Sequence, residues 1–272
     1  MKTKTLLLAG LSAILLAGCG GQKSYKTEVK METFLSSLEK LEETSPLLDK
    51  NPYSFTLESK EEGGYEIIYM QNKDEISKAV KEDKSEGECK FDVINSVFSI
   101  KSSGEEKYKN PSLETKSEFD YNRVTQKDAK NIYQVDKKAE TYTKDEQSDS
   151  EKAVAQYAMS AGLRFINSFK TNVTLIGKDG KYYIDGDTYT VVLEKTDENT
   201  SRTKYTKTIC QLTAKDDGYE YYYSDLTEIT ELHRKDIDKE VTYAKFSKKS
   251  VNLDPIDLHE YLEVEELDFP EI

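Results

Sequence analysis

The feature that most restricts the fold is a series of short alternating segments, separated by turn residues, that begins near residue 172. Tyr189 and Val191 alternate with polar residues, as expected for a strand with one buried face. A polar stretch at 197–201 then leads into a second alternating run at 204–213. Strands joined by short turns pair in antiparallel fashion, so the pattern predicts a meander of hairpins.

The composition fits such a sheet, because an antiparallel sheet can leave one of its faces in water. Charged residues make up 33% of the chain and apolar residues only 36%, which is polar for a folded protein. Short turn signals indicate where the hairpins of this half lie. The predicted strand pairs are 173–177 with 182–185, 204–213 with 219–223, and 226–233 with 240–246.

Two segments with apolar residues at spacings of three and four are predicted to be the main helices. The first spans 26–44 and ends before Ser45-Pro46. The second spans 149–169, where Ser148 and Glu151 have the spacing of a capping box. Weaker patterns predict a hairpin of 53–57 with 65–69 around Gly63-Gly64, a short helix at 73–84, and strands at 91–100, 117–122 and 131–143.

The N-terminus has the parts of an export signal. Lys2 and Lys4 precede a mostly apolar run at 6–17, which is too short to span ~30 Å of hydrocarbon as a stable helix. The motif Leu16-Ala17-Gly18-Cys19 resembles the lipobox of bacterial lipoproteins. The resemblance implies that Cys19 receives a diacylglyceryl thioether and that cleavage falls between Gly18 and Cys19. The alternatives are an ordinary secretory signal with a chance cysteine, or a permanent membrane-spanning anchor.

Removal of a signal peptide at 1–18 would define both the domain plan and the location. The small, polar segment 19–25 is predicted to be a lipidated flexible tether, and 26–272 a single α+β domain, with a pseudo-repeat boundary near 145 left open. Two acyl chains such as palmitate hold a protein on a bilayer, so we expect the domain on the extracytoplasmic face of the cell membrane. Cleavage would lower the formal charge from −13 to −15, because two lysines and no acids are lost. Such an acidic surface repels nucleic acid.

The order helix, strands, helix, strands, together with the lipobox and the Tyr- and Thr-rich hairpins, resembles the LolA/LppX group of bacterial lipid- and lipoprotein-carrier folds. The resemblance implies an α+β fold in which a strongly curved antiparallel sheet packs on two main helices. It also implies an apolar concavity that takes acyl chains or lipid-modified partners. The alternative is two tandem modules, each a helix on a small curled sheet.

Few residues point to catalysis. His259-Glu260 lacks the second histidine of a zinc-protease motif, and the chain has no nucleophile elbow, phosphate-binding loop or dinucleotide fingerprint. Asp185-Gly186-Asp187 begins like a calcium loop, but Tyr189 and Thr190 stand where that loop needs a ligand and a glycine. Asp236, Asp238 and Glu240 are typical of a solvated charged turn. We therefore expect no enzyme activity, no cofactor and no metal.

Two further sets of residues leave alternatives open. Cys89 and Cys210 remain after lipidation of Cys19, and the sequence is compatible with either a disulfide or two unpaired thiols. Tyr219, Tyr221 and Tyr223 share one face of a predicted strand. They would form either a stacking platform for a flat ligand or part of a half-wetted sheet.

The sequence favours a non-catalytic binding module for a lipid, another apolar ligand or a lipoprotein partner. The alternative is a cell-surface structural or interaction protein without a ligand cavity, which the low apolar content favours. In the first case a set of apolar side chains from the second helix and the sheet would face the ligand. These residues are Phe165, Phe169, Tyr189, Val191, Leu193 and Leu212.

Overall fold

The computed structural model describes residues 27–44, 53–128, 130–146 and 166–267. In this part of the chain, one curved, unclosed sheet of 13 strands packs against two helices, α1 (Met31–Glu43) and α2 (residues 166–176). All strand pairs are antiparallel except the outermost pair, β7 with β13. The prediction of an α+β fold with a curved antiparallel sheet and two main helices is confirmed.

The sheet consists of two meanders that meet in its middle. Strands β8 to β12 follow one another, strands β2 to β7 do the same, and β12 lies beside β2. Strands from both sides of residue 145 therefore share one sheet, although the segment at 147–165 lies outside the described residues. The strands are β1 (Glu28–Val29), β2 (Phe55–Gln71), β3 (Asp74–Asp92), β4 (Val97–Asn110), β5 (Leu113–Lys127), β6 (Asn131–Asp136), β7 (Thr141–Glu146), β8 (Lys181–Asp185), β9 (Thr188–Glu198), β10 (Arg202–Lys215), β11 (Gly218–Glu231), β12 (Arg234–Lys248) and β13 (Leu262–Glu263).

The predicted hairpin around Gly63-Gly64 is wrong, because β2 runs straight through both glycines. A Cβ at Gly64 would lie 2.0 Å from the carbonyl oxygen of Lys81, so glycine here permits close approach of β3 rather than a turn. The turn comes later, at Asn72 and Lys73, whose φ angles are 52° and 69°. Residues 73–84, predicted to be a short helix, consequently lie almost entirely in β3.

The predicted strand at 91–100 is also wrong, because a turn at residues 93–96 divides it between β3 and β4. The Asp92 carboxylate causes this turn by accepting hydrogen bonds from the backbone N–H groups of Ile94 (2.9 Å) and Asn95 (3.3 Å). The weaker strand at 117–122 is confirmed within β5. The single strand predicted at 131–143 is wrong, because a turn at residues 137–140 divides it into β6 and β7.

Helix α2 continues beyond its predicted end. Residues 166–169 are helical as predicted, while the first part of the predicted helix, 149–165, lies outside the described residues. The strand predicted at 173–177 is wrong, because the helix runs to residue 176. Ile166, Phe169, Val173 and Ile176 are all buried and recur at spacings of three and four, which places them on one side of a helix.

The main apolar core lies at one end of the sheet, under both helices. Phe34 of α1 is fully buried, with its ring 6.1 Å from Phe169 of α2, 5.0 Å from Tyr182 and 5.8 Å from Tyr189. We call the side of the sheet that faces this core the helix face. Because side chains alternate along a strand, every second residue points to the opposite, outer face.

The C-terminal segment forms a second, smaller core on the outer face, where Val97, Val124 and Val135 pack with Leu253 and Ile256. We call residues 251–263 the strap. Gln126 holds it at Ile256, donating to its carbonyl (2.8 Å) and accepting from its N–H (2.6 Å). Asp92 accepts a further bond from the N–H of Leu253 at 3.0 Å. Side chains of the sheet thus replace the hydrogen bonds that a neighbouring strand would make.

We expect the strap to loosen in acid. Burial disfavours the charged form of Asp92, but hydrogen bonds from Leu253 and from the adjoining turn outweigh this and lower the pKa of its carboxyl. Because the pKa of Asp92 is lower in the folded state, its charged form stabilises the protein at pH values above the unfolded pKa of about 4. This stabilisation is lost as the pH falls through the folded-state pKa. Asp92→Ala should therefore cost about 1–3 kcal/mol at pH ~7 and less at pH ~2. Urea unfolding at both pH values measures this, and equal costs would contradict the assignment.

Candidate functional site

The residues predicted to face a ligand come together in the structure, but they fill the main core. Phe169, Val191, Leu212 and Tyr189 are all buried in it. Leu193 is partly buried and packs against the same cluster. Phe165 lies outside the described residues. The predicted alternation along β9 and β10 is thus correct, while a ligand-facing role for these side chains stays a prediction.

The tyrosines of β11 do not form an exposed platform. Tyr219 and Tyr221 are buried in the main core, and the hydroxyl of Tyr221 accepts a hydrogen bond from the Asn172 amide at 2.9 Å. Burial raises the pKa of Tyr221 well above its usual value. Only Tyr222, which points the other way, lies on the outer face, directly opposite Tyr243 of β12. A buried hydroxyl with an amide partner is typical of a structural tyrosine.

On the outer face of β9 to β12 lies an apolar surface that the sequence did not single out. The register places Val192, Ile209 and Val241 in one row, with Ser224 between the last two. None of these apolar residues belongs to either core cluster of the described chain. We call this surface the outer patch; it comprises Val192, Ile209, Tyr222, Leu226, Val241 and Tyr243.

The outer patch is partly accessible and has charged residues of both signs at its edge. Five of its members are partly exposed, and Tyr243 is the most exposed, with an exposed fraction of 37%. Lys207 and Lys239 lie directly on either side of Leu226 in the same row. Lys207 lies 4.0 Å from Glu194, whereas Lys239 makes no ion pair with the described residues. An apolar row beside two lysines can bind the chain and the headgroup of an amphiphile.

The acidic residues of β12 lie on the helix face, beyond the main core. The charged turn predicted at Asp236, Asp238 and Glu240 is wrong, because all three lie within β12, where alternate residues share one face. Burial, followed by the negative charges of Glu61, Asp225 and Asp238, raises the pKa of Glu240. Within residues 27–44, 53–128, 130–146 and 166–267, no group of three or more acids, histidines or cysteines could hold a metal ion.

Cys89 and Cys210 are both free thiols in this structure. They lie on β3 and β10, with β2, β12 and β11 between these two strands. At ~4.8 Å per step, the four steps from β3 to β10 place the two cysteines roughly 19 Å apart across the sheet. Burial raises the pKa of Cys89 to about 11 and that of Cys210 to about 12. The two cysteines are therefore unpaired thiols and not a disulfide. Both thiols stay protonated and unreactive.

The far rim of the sheet, at the turns furthest from the main core, exposes large apolar side chains. Ile76 is 62% exposed and Leu232 is 77% exposed, next to the β2–β3 and β11–β12 turns respectively. Tyr69 and Leu113 are exposed at the same rim. Tyr69 and Ile76 lie within β2 and β3, so no local sequence signal singled out this rim.

No protein-family model and no curated protein sequence matches this chain. Among solved structures, it is similar to one of lipovitellin that concerns lipid–protein interactions, with a TM-score of 0.33, 8% identity, and coverage of 76% of this chain and 27% of that chain. It is also similar to a Nitrosomonas europaea protein named as a candidate AttH, with a TM-score of 0.20, 10% identity, and coverage of 74% and 53%. The chain spans less than two thirds of either protein. Among the described residues, no helix has the length and apolar character needed to cross a membrane.

Proposed function

We propose that this chain is a membrane-anchored, extracytoplasmic and non-catalytic protein that binds a lipid or another apolar ligand, in the manner of a LolA-like carrier. The observation that carries the proposal is the outer patch, an accessible apolar surface on a sheet that is otherwise strongly charged. Ligands of this kind require apolar area that remains open in the folded protein. The main core does not offer this, because Phe169, Val191 and Leu212 are fully buried.

The anchor in this proposal is the lipid on Cys19. The first described residue, Thr27, lies eight residues after Cys19, and its carbonyl accepts a hydrogen bond from the N–H of Ile184 at 3.1 Å. A protein held in this way meets the amphiphiles of its own membrane at high local concentration.

An acyl chain is the ligand class that fits the outer patch. Each buried CH₂ contributes about 0.8 kcal/mol, so a chain lying along Val192, Ile209 and Val241 would bind by apolar contact. Lys207 and Lys239 lie within the same surface and would pair with a carboxylate or phosphate headgroup. No bond is made or broken in this process, so no catalytic residue is needed.

A fluorescent fatty-acid probe tests this proposal. We expect Ile209→Glu to weaken probe binding by about tenfold or more, because it places a carboxylate in the apolar row beside the probe. Ile76→Glu, the same change on the far rim, is the matched control and should leave binding unchanged. Lys207→Gln with Lys239→Gln should weaken binding of an anionic probe more than that of a neutral one. Equal affinity in Ile209→Glu and the wild type would overturn the assignment of the outer patch.

The second candidate function is a structural or interaction protein of the cell surface. The exposed apolar side chains of the far rim, among them Ile76 and Leu232, favour it. In this case the fatty-acid probe should not bind, and native mass spectrometry of protein purified from a bacterial host should find no co-purifying lipid. Photo-crosslinking from position 232 in cells should instead capture an envelope protein.

A further inference from the structure

The strap is bound to the sheet mainly through its backbone. At Leu253, the N–H donates to the Asp92 carboxylate at 3.0 Å, and the carbonyl accepts a hydrogen bond from the Asn95 amide at 3.1 Å. At Ile256, Gln126 contacts both main-chain groups in the same way. Side chains of the sheet thus bind the N–H and the carbonyl of two strap residues, a type of contact that recognises a polypeptide chain whatever its side chains are.

The end of the strap adds a strand to the sheet. β13 lies parallel to β7, and the N–H of Leu262 donates to the carbonyl of Glu140 at 2.9 Å. The Tyr142 hydroxyl also donates to the Glu263 carboxylate at 2.9 Å. Addition of a strand to a sheet edge is a common mode of peptide recognition, because it pairs main-chain groups of both partners.

The apolar side chains of the strap are half-buried, whereas the acidic residues Asp254, Asp257 and Glu260 between them are exposed. The side chains that pack on the second core follow one another at spacings of three, two and three: Leu253, Ile256, Leu258 and Tyr261. We call the surface beneath them the strap site; it comprises Asp92, Asn95, Val97, Val124, Gln126 and Val135. The polar members of the site therefore bind a main chain, and its valines fix the spacing of the apolar side chains.

The strap site is preformed on the sheet. Val97, Val124 and Val135 lie on the neighbouring strands β4, β5 and β6, and Val124 is directly opposite Val135. Among the described residues, this second core shares no member with the main core, so the strap can detach while the helices stay packed. Segments held by few apolar contacts open at a lower free energy than the whole domain. Opening exposes three valines that are at most 5% exposed while the strap is bound.

We infer that the strap site binds an extended polypeptide segment of a partner protein, and that the strap is its built-in occupant. The strap itself shows which chemistry fits, namely a main chain with apolar side chains at spacings of three, two and three. An acyl chain, in contrast, has no N–H to donate to Gln126 or Asp92. The inference goes beyond the proposed lipid ligand and does not depend on it or on the membrane anchor.

The covalent link between the strap and β12 makes the strap an inhibitor of this site. A short link holds a bound segment at an effective concentration on the order of 1 mM, against which any partner must compete. A partner segment therefore binds with an affinity that is reduced by the fraction of molecules in which the site is open. A change in the strap that leaves the site itself intact should uncover the full affinity.

Binding of a fluorescein-labelled peptide with the sequence of residues 251–264 to the full chain, measured by fluorescence anisotropy, tests the inference. Ile256→Asp in the protein places a carboxylate against the buried valines and so releases the strap. We expect this variant to bind the peptide about tenfold more tightly than the wild type, or better. Adding Gln126→Ala should remove most of that gain, because the peptide then lacks two main-chain hydrogen bonds.

Ile76→Asp on the far rim is the matched control and should bind the peptide as the wild type does. Leu258→Asp releases the strap from a second position, and it replaces Ile256→Asp if circular dichroism shows that the first variant does not fold. Equal affinity of the wild type and a folded strap variant would overturn the inference, as would a gain that survives Gln126→Ala. Displacement of the peptide by a fatty acid but not by unlabelled peptide would show that the site takes an acyl chain, which would also overturn it.

Discussion

Replacing Cys19 with alanine should abolish lipid attachment completely. The variant lacks the thiol that would form the proposed thioether, so a lipoprotein peptidase would have no substrate and the apolar run at 6–17 would stay attached. That run is too short to be a secure membrane span. We expect uncleaved precursor at the membrane or leakage into the medium, and no incorporation of a palmitate analogue during metabolic labelling.

The folded domain itself should be unaffected by this change, because the segment 20–24 is small and polar and separates the lipid site from the domain. The circular dichroism spectrum and the urea midpoint of the purified variant are the control. Equal label in Cys19→Ala and the wild type would mean that the N-terminus is not a lipoprotein signal, and the proposed location would fall with it.

Phe34→Ala should be among the most destabilising single changes to the domain. The ring is fully buried and contacts α2 through Phe169 and the sheet through Tyr182 and Tyr189. Removing a buried phenylalanine costs about 3–5 kcal/mol, which is a large part of the roughly 5–15 kcal/mol that holds a domain folded. We expect a clear fall in the urea midpoint, measured by tyrosine fluorescence and circular dichroism.

Leu175→Ala is the control for this prediction, since it also truncates a large apolar side chain close to the same core. Because Leu175 is exposed, the change should alter the free energy of unfolding by less than about 0.5 kcal/mol. A similar loss of stability in both variants would show that the cluster around Phe34 does not hold the helices on the sheet.

Tertiary structure also separated features that look alike in the sequence. Gly63-Gly64 has the composition of a turn, yet the pair lies inside β2, because the approach of Lys81 on the neighbouring strand excludes a side chain at Gly64. The apolar residues Val93 and Ile94 suggested a continuous strand, but the Asp92 carboxylate caps a turn there. In both places a contact that is invisible to periodicity decided the conformation.

The sequence by itself determined the features that depend on neighbouring residues. Most of the strand positions within 181–248 and the helical character of α1 follow from alternation and helical spacing, which act over a few positions. Only the tertiary structure decided that β12 pairs with β2, that the strap binds at Gln126, and that the outer patch stays open while the predicted ligand residues form the core. The pairing of β12 with β2 and the contact of the strap with Gln126 join segments more than 100 residues apart. They are decided by which apolar surfaces can be buried together, a property of the whole chain that no local pattern encodes.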